Sequence, residues 1–129
     1  MRLTGIHHVS ILVSDVPRAI AFYRDGLGLR QIQRPPTFTA PELRDVIWFE
    51  LGDQQLHLLP SATADVPARR HFALHLDDAA AARVELQSRG LVIRETTPIP
   101  GADRFFVNDP DGNRVELIQW QENYPISYV

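Results

Sequence analysis

The chain has 129 residues, 44% apolar and 22% charged, a composition of folded rather than disordered proteins, and a domain of this length buries a core without a disulfide or a structural metal. It contains no cysteine, and all 13 of its basic residues are Arg, which excludes disulfides, thiol nucleophiles, thiolate metal and iron–sulfur sites, Schiff-base lysines and the P-loop lysine. A net charge of −3, with no basic cluster beyond Arg69 and Arg70, argues against nucleic acid and anionic membranes as partners; no apolar run has the length of a membrane span or a signal-peptide core, so a cytoplasmic protein with a small-molecule substrate is expected.

Residues 6–13 alternate between two faces, with Val9, Ile11 and Val13 on one side and His8, Ser10 and Leu12 on the other, the pattern of a strand. Ser14 and Asp15 then offer caps to a helix that carries Pro17 in its first turn, a core stripe of Ile20, Tyr23 and Leu27, and stop signals at Gly26 and Gly28. A strand over 29–33 follows. The loop over 34–41 holds three prolines and is barred from a central strand. Residues 46–51 and 54–59 read as a hairpin hinged at Gly52 and Asp53.

After a loop over 60–70 the order starts again. A strand over 71–76 leads through Asp77 and Asp78 into a helix over 79–89, then a strand over 91–94, a loop over 98–102, and a hairpin of 103–108 with 113–120. Asp109, Pro110, Asp111 and Gly112 suit the type I turn between its arms. The chain therefore reads as one α+β domain, 1–129, made of two tandem βαβββ modules about 60 residues apart, at about 4–60 and 70–120, with a tail over 121–129. Each helix covers one sheet face, and the other face is left to curl, as a cupped mixed sheet, around a cavity that the modules share.

Strand alternation then selects the residues that face the cavity. With Val9, Ile11 and Val13 against the helix, His8 points to the other side; with Phe72, Leu74 and Leu76 as core, His71 does the same at the equivalent position. Aligning the last strand of each module lays His57 over Glu116. Three imidazoles and a carboxylate thus occupy four pseudo-symmetric slots, a donor set for a divalent ion, although any one of them alone reads as a polar residue on a half-exposed sheet. His7 has the opposite parity. His75 lies four strand residues, roughly 13 Å, from His71 and lines the pocket rather than the same ion.

At these residues the sequence resembles the vicinal oxygen chelate superfamily, which includes glyoxalase I, methylmalonyl-CoA epimerase, fosfomycin-resistance thiol transferases, bleomycin-binding proteins and type I extradiol dioxygenases. The marks are His8 in HHVSILVSD, the helix end AFYRDGLGL, His71 in RHFALHLDD and Glu116 in DPDGNRVELI. The resemblance implies paired βαβββ modules, a divalent metal in the cupped sheet and often a homodimer, with His8, His71 and Glu116 at common ligand positions. The departure is His57, where glyoxalase I enzymes usually carry glutamate.

Two chemistries stay open at that position. With His57 bound, the ion has four protein ligands and takes substrate by expanding its shell, which suits Ni, Co, Mn, Fe or five-coordinate Zn; without it, two histidines and a carboxylate form the open triad of non-heme Fe(II) oxygen chemistry. In either case the ion holds a bidentate oxygen substrate and stabilises an oxyanion, with Glu116, or an unligated His57 or His75, as proton acceptor. The expectation is a glyoxalase-like lyase, isomerase or transferase; the alternatives are a metal-free antibiotic-binding protein and an Fe(II) dioxygenase. Arg104 is a candidate for a substrate carboxylate or, more plainly, a surface ion pair, and Phe38, Trp48 and Phe106 are candidate pocket walls. The proline-rich stretch 34–44 has the length of a lid, and Tyr124, Pro125 and Tyr128 suit a dimer contact.

Overall fold

The computed structural model describes residues 1–123, 127 and 128. Two compact units emerge: Met1–Pro67 with Asp109–Asn113, and Ala68–Asn108 with Arg114–Val129. Each contains one four-stranded mixed sheet with the same connectivity.

In the first unit, β1 (His8–Val13) is followed by α1 (Val16–Ile20), a π-helical stretch Ala21–Gly26, β2 (Arg30–Ile32), the short α2 (Pro41–Arg44), β3 (Ile47–Leu51) and β4 (Gln54–Pro60). The sheet order is β1-β4-β3-β2, with β1 and β4 parallel and the other pairs antiparallel. Asp15 caps α1 by accepting from the Arg18 N–H at 3.0 Å, and Pro17 sits in the first turn as expected. Beyond Ile20 the ladder widens, the Leu27 N–H reaching the Phe22 carbonyl at 2.9 Å. The side-chain stripe at spacings of three and four does not distinguish this widened turn from an α-helix, so the sequence reads as a single helix. Val13, Ala19, Tyr23, Phe49, Leu56 and Leu58 are fully buried and form the unit's core.

The second unit carries β5 (His71–His75), α3 (Ala79–Ser88), β6 (Arg94–Glu95), β7 (Ala102–Asn108) and β8 (Arg114–Trp120), in the order β5-β8-β7-β6. Asp78 caps α3 through the Ala81 N–H at 2.8 Å, the role that Asp15 plays in the first copy. Phe105, Val107 and Val115 fill the core. The strand expected over 91–94 is displaced to Arg94–Glu95. Its first residues close α3 instead: the Gly90 and Leu91 N–H groups bond to the Gln87 and Leu86 carbonyls, with Gly90 at φ +83°, and Val92 is left 72% exposed. The stretch 34–44, expected as loop throughout, gains the single turn α2, whose Leu43 and Arg44 N–H groups both bond to the Ala40 carbonyl.

Candidate functional site

The strand registers place the predicted residues in matched pairs. In the first unit β1 and β4 align His8 with Gln55 and Ser10 with His57; in the second, β5 and β8 align His71 with Arg114 and Ala73 with Glu116. The offset is identical in both copies, which puts His8 diagonal to His57, and His71 diagonal to Glu116, each pair on one sheet face.

In the first unit the His8 and His57 rings stack, with centroids 4.4 Å apart and planes 18° from parallel. On its other face His57 stacks on Trp48, its direct cross-strand partner, at 4.0 Å. His57 is 6% exposed. Burial, with His8 and His7 nearby, pushes its pKa down to about 4, so the ring is neutral at physiological pH. Its Nε2 lies 2.9 Å from Gln55 Oε1, an acceptor; Nε2 therefore carries the hydrogen and Nδ1 the lone pair. His7, exposed and just ahead of β1, lies with its Nδ1 2.9 Å from His8 Nδ1 and forms a hydrogen bond with it.

Trp48 also lines a groove of about 680 Å³ whose walls include Arg34, Pro36, Phe38, Arg44 and Val46. Phe38 meets Trp48 edge to face at 5.6 Å. The Trp48 Nε1–H is buried without a hydrogen-bond partner among the described residues. The proline-rich stretch thus supplies a wall of the groove, and two of the three aromatic candidates, Phe38 and Trp48, line it.

In the second unit His71 Nε2 lies 2.9 Å from Glu116 Oε2, and His71 Nδ1 lies 2.9 Å from the Arg69 carbonyl. A carbonyl only accepts, so Nδ1 must carry a hydrogen. Nε2 faces a carboxylate oxygen, and an imidazole nitrogen beside a carboxylate is a pair of atom types that a divalent ion takes as ligands. A backbone carbonyl on the far nitrogen is also the arrangement that orients metal-binding histidines. This pair therefore fits a divalent ion. Among the described residues no three His, Asp or Glu side chains form a ready ligand group.

Arg104 departs from the surface ion pair expected of it. Its side chain is 17% exposed, and its NH1 donates to Glu116 Oε1 at 2.9 Å, so each oxygen of this carboxylate, whose side chain is 7% exposed, has a partner. The partnership follows from register: Phe106 pairs with Glu116 and Arg104 with Ile118, which puts all four on one face. Phe106, the third aromatic candidate, meets His71 edge to face at 5.1 Å and is flanked by Arg104 and Arg114. His75 is exposed on β5. Tyr128 is exposed, and Tyr124 and Pro125 lie outside the described residues. Gln55 and the Arg69 carbonyl, which set the tautomers of His57 and His71, escape sequence reasoning because neither residue type signals chemistry by itself.

The model of the Glyoxalase/Bleomycin resistance protein/Dioxygenase superfamily matches residues 5–117. The chain is similar to a lactoylglutathione lyase of Salmonella typhimurium, 32% identical over 124 residues that span 87% of this chain and 90% of the relative. Among solved structures it resembles a protein assigned to the glyoxalase family from Bacillus anthracis, with a TM-score of 0.83 and 27% identity over 93% of this chain and 98% of that one. It also resembles TnmS3, an antibiotic binding protein from Streptomyces sp. CB03234, with a TM-score of 0.73 and 25% identity over 93% and 98% of the two chains.

Proposed function

The chain belongs to the glyoxalase/bleomycin resistance protein/dioxygenase superfamily, and on that premise we propose that it is a metal-dependent enzyme performing lyase, isomerase or transferase chemistry on a small, oxygen-rich substrate. The donors we assign are His71 and Glu116 of the second unit and His8 and His57 of the first. The observation that carries the reading is the His71–Glu116 contact, where an imidazole nitrogen and a carboxylate oxygen from separate strands lie 2.9 Å apart. When bound, a divalent ion such as Zn, Ni, Co, Mn or Fe polarises substrate oxygens as a Lewis acid.

The chain's own residues supply the rest. Glu116, nine-tenths buried beside Arg104, is the proton acceptor we rank first, once it loosens from the ion; Nδ1 of His57 takes that role only where His57 is left unligated. The groove at Phe38 and Trp48 takes the apolar part of the substrate, with Arg34 and Arg44 on its wall for an anionic end. Likeness to a lactoylglutathione lyase favours the lyase branch.

The test is metal analysis of protein purified without chelator beside a His71→Ala, Glu116→Ala double variant, followed by an assay for lactoylglutathione turnover with and without chelator. We expect bound divalent metal in the parent and at least tenfold less in the variant; equal, negligible metal in both overturns the reading. A metal-free binding protein is the second reading, favoured by the groove and by the likeness to an antibiotic binding protein. Tight binding of an aromatic ligand, unchanged by chelator, would decide for it.

A further inference from the structure

We propose that Arg104 competes with the divalent ion for Glu116, so that this guanidinium sets how tightly the second unit binds metal; the inference rests on the metal reading above. Three observations carry it. The guanidinium is pinned from two sides, NH1 on Glu116 Oε1 at 2.9 Å and Nε and NH2 on the Thr97 carbonyl at 3.2 and 2.8 Å. It is largely buried, 17% exposed against 7% for the Glu116 side chain, so water and salt screen the pair poorly.

The internal repeat supplies the third. Trp48 is the cross-strand partner of His57, and Phe106 that of Glu116. Two residues before each stand Val46 and Arg104. The first copy carries a buried Val46 at this position, one residue ahead of β3, so the βαβββ module does not need a cation there to fold. Arg104 serves Glu116 as well as the Thr97 carbonyl that it holds. A fixed positive charge on one carboxylate oxygen repels a second cation approaching the other, and the repulsion is strong where the surroundings are weakly polar.

An ordinary supporting role predicts the opposite sign. If Arg104 merely orients Glu116 for the ion, removing it weakens metal binding, by 10- to 100-fold for such partners. The full chain, stripped of metal by chelator, is titrated with Co²⁺ and followed by calorimetry and by the visible absorbance of bound cobalt, as the parent and as Arg104→Met, Arg104→Lys and the double variant Arg104→Met, His71→Ala.

We expect Arg104→Met to bind Co²⁺ at least tenfold more tightly than the parent, Arg104→Lys to fall between them, and the double variant to lose the gain. Metal-free circular dichroism melts confirm that each variant folds, and Arg104→Lys carries the comparison if Arg104→Met does not. Equal or weaker binding by Arg104→Met, with the parent binding cobalt well, overturns this inference alone and leaves the metal reading standing. No cobalt binding by any of the folded proteins overturns both.

Discussion

Tyr23 is fully buried, and its hydroxyl donates to Asp109 Oδ2 at 2.8 Å across 86 positions of sequence. Burial and the adjacent Asp109 carboxylate hold the phenol's pKa far above its ordinary value, so the group remains a neutral donor at every working pH. The same carboxylate accepts from the Asp111 and Asn113 N–H groups and from Asn113 Nδ2. Tyr23→Phe removes one donor from this buried network and is expected to cost about 1–3 kcal/mol, read as a lower urea midpoint at unchanged slope. The sequence identifies Tyr23 as core and Asp109 as turn but gives no sign that they touch. Their meeting depends on how the 109–113 turn packs within the first unit, where Asp111 also takes the Ser14 N–H at 3.0 Å.

At the level of elements, α1 and α3 each begin on the second residue of an expected capping pair, Asp15 for α1 and Asp78 for α3. Asp78→Ala exposes the Ala81 N–H and should cost about 1 kcal/mol, whereas Asp78→Ser keeps an acceptor and should cost little; thermal unfolding distinguishes them. Gly112 closes the turn between β7 and β8 at φ +85°, its N–H bonded to the Asp109 carbonyl at 3.0 Å. Gly112→Ala is expected to lose about 1–2 kcal/mol in the same assay, because a Cβ is disfavoured in that region of backbone space. Capping and turn chemistry are short-range, which is why these features are legible from a few neighbouring letters. The ends of β6 and the π-helical stretch are not, since they depend on which of two competing hydrogen-bond patterns the backbone adopts.

At the scale of the whole chain, a ligand that binds only the folded protein stabilises it by mass action. Under the proposed function, Ni²⁺ or Co²⁺ at about a hundred times its dissociation constant should raise stability by about 2.7 kcal/mol, several degrees in calorimetry. His71→Ala should remove the rise. An unchanged melting temperature in the parent at saturating metal would contradict metal binding by the native state. No helix among the described residues is long and apolar enough to cross a membrane.

By itself the sequence determined the strand–helix–three-strand order, its duplication, the helix caps and the face on which His8, His57, His71 and Glu116 lie, because alternation, capping and repetition are local properties that survive in a one-dimensional string. Tertiary structure alone decided the partners: His57 between His8 and Trp48, Glu116 between His71 and Arg104, Tyr23 on Asp109. Those contacts join separate strands and turns, so they exist only once register and packing bring distant residues within a few ångströms, and their energies depend on the burial that packing creates.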